Sequence, residues 1–155
     1  MTSFAADFRD ARILEIGSGQ SVDGAYPYSF ADVFHPSCQV LRSDLNPEFG
    51  HPVVDITNHS FDSEFDVIVC TSVLEHVWDL HAAVVGMRRA LKDDGTAFIG
   101  IPMFYPLHDE PHDYWRITEH GIRMLFDGWD VDIHHRGVRL APLAYYLTAK
   151  PISIF

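Results

Sequence analysis

The chain has 155 residues, 47% of them hydrophobic and 21% charged, which suits one folded domain and leaves little room for a second. With 22 acidic residues against 11 basic ones the formal net charge is -11, and such a surface repels phosphate backbones, so DNA and RNA are not expected partners. Two cysteines, Cys38 and Cys70, make neither a disulfide framework nor a zinc knuckle; with no apolar run of about 18 residues and no secretory pattern at the start, a cytoplasmic protein without a membrane span is expected.

About 11 residues precede the first apolar run, enough for three helical turns. Residues 12–16 (RILEI) read as a strand closed by Gly17, and 20–29 (QSVDGAYPYS) as a loop. Residues 39–43 (QVLRS) read as a second strand closed by Asp44, and 52–54 (PVV) as a short third closed by Asp55. The fourth strand is 65–70 (FDVIVC), with Cys70 as a small buried hydrophobe. Residues 80–92 place apolar side chains at 80, 83, 84, 87 and 91, the spacing of a helix, and end in a basic turn. Asp93, Asp94 and Gly95 turn the chain into a fifth strand at 96–101 (TAFIGI). Thr118 caps a helix to 126, weakened by Gly121, and a sixth strand covers 129–134. Residues 137–155, apolar and aromatic with Pro142 and Pro151, read as a packed terminal segment of no assigned form; the alternative is a partner or membrane-surface contact. Runs four and five are apolar without alternation, which marks strands covered on both faces. Strands alternating with helices predict one doubly wound, mostly parallel α/β domain over 1–155, with a short N-terminal segment.

In open α/β sheets a ligand sits beyond the carboxyl ends of the strands, where strand order reverses. The residues there are Gly17, Ser18 and Gly19 after strand one, Asp44 and Leu45 after strand two, Asp55 and Ile56 after strand three, and Thr71 and Ser72 after strand four. Glycines let the backbone approach a ligand and turn sharply. An ionised Asp44 can accept both hydroxyls of a ribose diol. Asp55 can accept from an adenine amino group while the Ile56 N–H donates to a ring nitrogen. Glu15, inside strand one, can accept from backbone or ligand amino groups near the loop.

The segments ARILEIGSG (11–19), VLRSDLNP (40–47), VVDITN (53–58), FDVIVCTSVLEHV (65–77) and RRALKDDGTAFIGIP (88–102) resemble, in that order, the class I methyltransferases that use S-adenosylmethionine, in particular the small-molecule group often called type 11. The resemblance implies a Rossmann-like sheet and S-adenosylmethionine as cofactor. It places Gly17 and Gly19 along the methionine part, Asp44 on the ribose, Asp55 and Ile56 on the adenine, and Thr71 and Ser72 beside the sulfonium and its amino-acid end. Where the family has a third glycine this chain has Ser21.

After strand five the stretch PLHDEPHDYWRIT (106–118) gathers His108, Asp109, Glu110, His112, Asp113, Tyr114, Trp115 and Arg116. Similar loops cover the acceptor pocket in that group. Methyl transfer needs alignment and, for a hydroxyl, a base. His112 or His108 is a candidate base, oriented by Asp113 or Asp109, and His76 is a third. His108, Tyr114, Trp115 and Arg116 are candidate substrate contacts, the aromatics stacking on a flat acceptor or a sugar face. The plainer reading makes His112, Asp113 and Arg116 a network that fixes the loop. His108 and His112 with neighbouring carboxylates could bind a cation, but Pro106 and Pro111 argue for a loop, and no metal is expected.

The expected activity is methyl transfer to an oxygen or nitrogen of a small molecule or sugar, with a homo-oligomer left open. A nicotinamide-dependent oxidoreductase is the weaker rival, since Val22 stands where its fingerprint needs glycine. A non-catalytic cofactor-binding or partner module is the other: the short N-terminal segment would leave the pocket open and turnover dependent on a second subunit.

Overall fold

The computed structural model describes residues 2–19, 30–138 and 141–152. The elements are α1 (Thr2–Ala5), β1 (Arg12–Ile16), β2 (Gln39–Ser43), β3 (Phe65–Thr71), α2 (Leu80–Ala90), β4 (Leu91–Pro102), α3 (Glu119–Leu125), β5 (Trp129–Val138) and β6 (Ala141–Pro151). Short 3-10 turns lie at Phe30–Val33, Pro47–Phe49 and Leu74–His76. The expected loop 20–29 falls outside the described residues.

The six strands form one sheet in the order β2-β1-β3-β4-β6-β5. The first four pair in parallel, while β6 runs antiparallel to both β4 and β5. From β1 the chain moves outward to β2, then returns across β1 to β3. Strand order therefore reverses between β1 and β3, and their carboxyl ends open a crevice there.

Alternation along the strands feeds two cores. Leu14, Ile16, Ile68, Cys70, Ile99 and Ile101 pack one face against Met87 of α2 and Ile122 of α3. Ile13, Val67, Val69 and Phe98 pack the other against Ala5, Ala11 and Phe34. Phe4 in α1 lies 5.3 Å from Phe98, ring to ring, so the N-terminal residues serve this second core. Burial pushes the Cys70 thiol far up, so it stays protonated as a packing residue.

Three sequence expectations change. Residues 52–54 make no strand; a single parallel bridge joins Val53 to Asp44, with the Asp44 N–H donating to the Pro52 carbonyl. Strand five begins at Leu91, directly after α2, and the ladder slips between Phe65 and Val67. The terminal segment is β6, inserted between β4 and β5. Pro142 and Pro151 lie at its two ends, where a missing N–H disturbs the ladder least.

Helix α2 holds the loop after Asp55 in place. Asp79 caps it, its carboxylate accepting from the Ala82 N–H at 2.9 Å. At Gly86 the helix backbone meets that loop: a Cβ built there would lie 1.8 Å from the Ile56 carbonyl oxygen. His59 completes the join. Its Nε2–H donates to the Gly86 carbonyl at 3.1 Å, and its Nδ1 accepts from the Phe61 N–H at 3.1 Å. One nitrogen donating and one accepting is a neutral ring. Burial accordingly holds the His59 pKa below its ordinary value.

Gly86→Ala is expected to lower stability by about 1–3 kcal/mol, because overpacking against backbone outweighs a helix-propensity gain of about 1 kcal/mol. Urea denaturation checks it, and a variant as stable as the parent would refute the close approach. For His59 the folded pKa lies below the unfolded value near 6.5, so the unfolded chain binds the proton more readily. Its stabilising contribution is complete above that value and is lost as pH falls through the window beneath it. Thermal unfolding at about pH 7.5 and about pH 5.5 should show a smaller loss in His59→Gln than in the parent.

Candidate functional site

At the carboxyl end of the sheet lies a cavity of about 540 Å³, within the range of small-molecule sites. Its wall carries Gly17, Gly19, Asp44, Leu45, Asp55, Ile56, Ser72 and His76, eight of the residues singled out by position. Four elements supply them: the ends of β1, β2 and β3 and the loop after Asp55.

Gly17 has φ +70°, and a Cβ there would stand 2.3 Å from Val73 Cγ2. Only glycine lets the loop after β1 lie against the turn after β3. Ser72 sits in the left-handed region at φ +54°, its N–H donating to the Gly100 carbonyl at 3.0 Å. Asp44 ties the first loop to the second: its carboxylate accepts from the Gly19 N–H and the Asn46 N–H, both at 2.9 Å. Two donors leave a carboxylate further acceptor capacity toward the cavity. Asp55 makes an Asx turn, accepting from the Thr57 N–H at 2.8 Å and its hydroxyl at 2.6 Å.

Glu15, Ser18 and Thr71 stand behind the wall. Glu15 is 4% exposed, and its carboxylate accepts from the Ser18 hydroxyl at 3.0 Å. That bond braces the glycine loop from below. Thr71 packs beneath the Gly100 backbone. The wall also includes Asp109, expected from sequence as a partner of a loop histidine, and Phe49, Val73, Val77, Trp78 and Asp79, which sequence position had not marked as site residues. His51 was missed as well; its Nε2–H donates to the Gly19 carbonyl at 3.1 Å. No strand end announces these residues, although Trp78 and Asp79 directly follow the LEHV string.

The 106–118 loop docks on the Leu74–His76 turn through main chain. The Tyr114 and Trp115 N–H groups both donate to the Glu75 carbonyl, at 2.8 and 3.3 Å. The Trp115 indole N–H donates to the Val77 carbonyl at 2.8 Å, and the His76 Nδ1–H to the His112 carbonyl at 2.8 Å. Trp78, 74% exposed, meets Tyr114 edge to face at 5.3 Å.

Two expectations for this loop are corrected. Asp113 does not orient His112; its carboxylate accepts from Arg116 at 2.7 and 2.8 Å and from the His108 N–H at 3.0 Å. His112 instead pairs through Nδ1 with the Tyr114 hydroxyl at 2.7 Å. Arg116 is not left for substrate. Its Nε, Nη1 and Nη2 reach the carbonyls of Tyr105, Trp115 and Pro106 and both Asp113 oxygens, using all five donors. The Arg116 guanidinium holds the Asp113 carboxyl well below the usual carboxylate range. The pair is a bidentate strut within the loop.

Comparison with known proteins gives the chain's family and fold. The methyltransferase domain family matches residues 2–137, so the chain belongs to that family. A search of curated proteins finds no match. The YcgJ protein from Bacillus subtilis superposes with a TM-score of 0.74 at 15% identity, covering 99% of this chain and 97% of that one. The 1,6-didemethyltoxoflavin-N1-methyltransferase of Burkholderia thailandensis, solved with 1,6-didemethyltoxoflavin and S-adenosylhomocysteine bound, has a TM-score of 0.70 at 18% identity over 98% of this chain and 76% of that one. The CurJ carbon methyltransferase has a TM-score of 0.72 at 14% identity over 94% of this chain but 49% of its own, so this chain spans about half its length. At these identities the likeness is one of fold: a Rossmann-like class I methyltransferase sheet. Among the described residues no helix is long and apolar enough to cross a membrane.

Gly17→Ala is expected to cost about 1–3 kcal/mol from the clash with Val73. Adding Val73→Ala should recover part of that loss, since it removes the clashing methyl but not the strain at positive φ. Chemical denaturation of both variants checks this; no recovery would mean that the two loops are not in contact.

Proposed function

We propose that this member of the methyltransferase domain family binds S-adenosylmethionine in the 540 Å³ cavity and methylates an oxygen or nitrogen of a small molecule or sugar. The observation that carries the reading is the convergence of Asp44, Asp55 and the Gly17–Gly19 loop on one wall. The residues fit the cofactor on their own chemistry. Asp44 keeps lone pairs for a ribose diol after binding two backbone donors. Asp55 is fixed by its turn, and Ile56 and Val54 give an apolar bed for a flat base. Gly17 and Gly19 bring backbone rather than side chains to the cavity.

Bound there, S-adenosylmethionine would supply a methyl group already activated by its sulfonium, with the sulfide as leaving group. The chain's part is to align, to exclude water and to take up the acceptor's proton. His76 and Asp109 face the cavity and stand 3.9 Å apart, Nε2 to carboxylate, so the acceptor's proton leaves on that side. Of the histidines considered from sequence, His76 is the one on the cavity wall. His112 acts behind it, its carbonyl setting the His76 ring. Tyr114 and Trp78 offer an aromatic edge at the rim to a flat acceptor or sugar face.

Titration calorimetry with S-adenosylhomocysteine should show one site per chain, and nicotinamide dinucleotides should show none. Asp44→Ala should weaken binding by about 1.5–3 kcal/mol per lost charged hydrogen bond, roughly tenfold to a hundredfold. Absence of uptake by the folded parent protein would overturn the reading. Release of S-adenosylhomocysteine across a panel of hydroxyl and amine acceptors then separates an enzyme from a binding module.

A further inference from the structure

The cofactor reading leaves one group without a role. Glu75 is fully buried, yet neither of its carboxylate oxygens has a hydrogen-bond partner among the described residues. Burial without a partner pushes its carboxyl above the ordinary range. Buried carboxylates are normally hydrogen-bonded, paired or bound to metal, because an isolated one is costly. Arg116 cannot serve, since its five donors are spent within the loop.

What surrounds Glu75 is a set of acceptors. His76 Nε2 and His108 Nε2 each lie 3.9 Å from Glu75 Oε1. The other nitrogen of each ring faces a carbonyl: His76 Nδ1 meets the His112 oxygen at 2.8 Å, and His108 Nδ1 meets the Pro106 oxygen at 3.1 Å. A carbonyl only accepts, so each Nδ1 carries a hydrogen, and the lone pair left to an unprotonated ring is on Nε2. Asp113 Oδ2, 3.2 Å from His108 Nδ1, enforces the same tautomer. The three ligand atoms lie within 4.8 Å of one another, and the two rings meet edge to face at 4.8 Å. Around a metal with bonds of about 2.1 Å, tetrahedral ligand atoms stand about 3.4 Å apart. Closing on a metal takes about half an ångström of contraction at each Glu75 pair and up to about 1.4 Å between the two imidazoles.

From this we infer that Glu75, His76 and His108 form a binding site for one divalent transition-metal cation, of the zinc type. Two imidazoles and a carboxylate suit such ions, and three protein ligands leave positions open to exogenous oxygen or nitrogen. Ring nitrogens held by carbonyls are the usual outer support of metal-binding histidines. The site adjoins the proposed methyl-transfer cavity, because His76 lines both, and an ion held by its Nε2 occupies the lone pair that takes the acceptor's proton in the metal-free protein. The sequence pairing of His108 with His112 is replaced: His112 supplies its carbonyl, not its ring. Glu75 had no signal of its own, since its relation to His108 exists only once the 106–118 loop has docked.

The test is a titration of the tag-free, metal-stripped protein with zinc chloride, followed by calorimetry and by the rise in melting temperature, and with cobalt chloride followed by its visible absorption. One ion per chain, a cobalt spectrum of low-coordinate type, and at least about a tenfold weakening in both Glu75→Gln and His108→Ala are expected. His134→Ala, on the far strand β5, should bind like the parent. Glu75→Gln removes an unpartnered buried charge, so its metal-free form should melt no lower than the parent's; His108→Ala is the second variant should that one fail to fold. No uptake by the parent, or equal uptake by all variants, overturns the site. Two-dimensional NMR showing a protonated imidazole against Glu75 in the metal-free protein, with no response to zinc, would identify an ion pair in its place. The titration contains no nucleoside, so its failure is separate from failure of the cofactor reading.

Discussion

Everything at the carboxyl end of the sheet depends on the loop after β1 lying flat against the turn after β3. That contact is possible because residue 17 has no side chain to collide with Val73. Once made, it fixes residues 72–77, and those few residues serve two directions. Ser72, Val73, His76 and Val77 wall the cavity. Glu75 turns inward, and its carbonyl takes the two N–H groups that seat the 106–118 loop. A single turn therefore relates the cavity to the 106–118 loop.

The second relation is between α2 and the loop carrying Asp55. Gly86 and His59 make it, one by lacking a side chain and one by bridging two backbone groups. Both joins rely on close backbone packing more than on buried apolar area. The apolar area lies beneath, in the two cores on either face of the sheet, and supplies the stability that such packing needs.

Much of this was legible in the sequence because parallel strands advertise themselves. Runs 65–70 and 96–101 are apolar without alternation, and the residues that close the strands follow the strand-end rule, so Gly17, Gly19, Asp44, Asp55 and Ser72 could be placed on one wall from position alone. The last strand was not legible. The segment with Pro142 and Pro151 had no assigned form, whereas the two prolines lie at the ends of a strand that takes its hydrogen bonds from β4 and β5. The 52–54 run looked like a strand by composition, but the chain leaves the sheet after one bridge. In the 106–118 loop the residue types were visible and their partners were not. Asp113 and Arg116 at three-residue spacing close on each other, which removes both from the roles their charges suggested. Which atoms face Glu75 is a property of docking, a tertiary event with no local periodicity.

The antiparallel strand also has a bearing on how the chain is made. β4 lies inside the sheet, yet the neighbour on one of its sides is β6, which leaves the ribosome after every other described strand. Until residues 141–151 emerge, an apolar strand carrying Phe98, Ile99 and Ile101 has an open row of backbone donors and acceptors. Synthesis at about 5–20 residues per second makes that interval short, but it is the stage at which a nascent chain most invites pairing with a stranger. The β5–β6 hairpin thus completes the described sheet, and a chain cut before residue 141 trades a folded sheet for an adhesive edge.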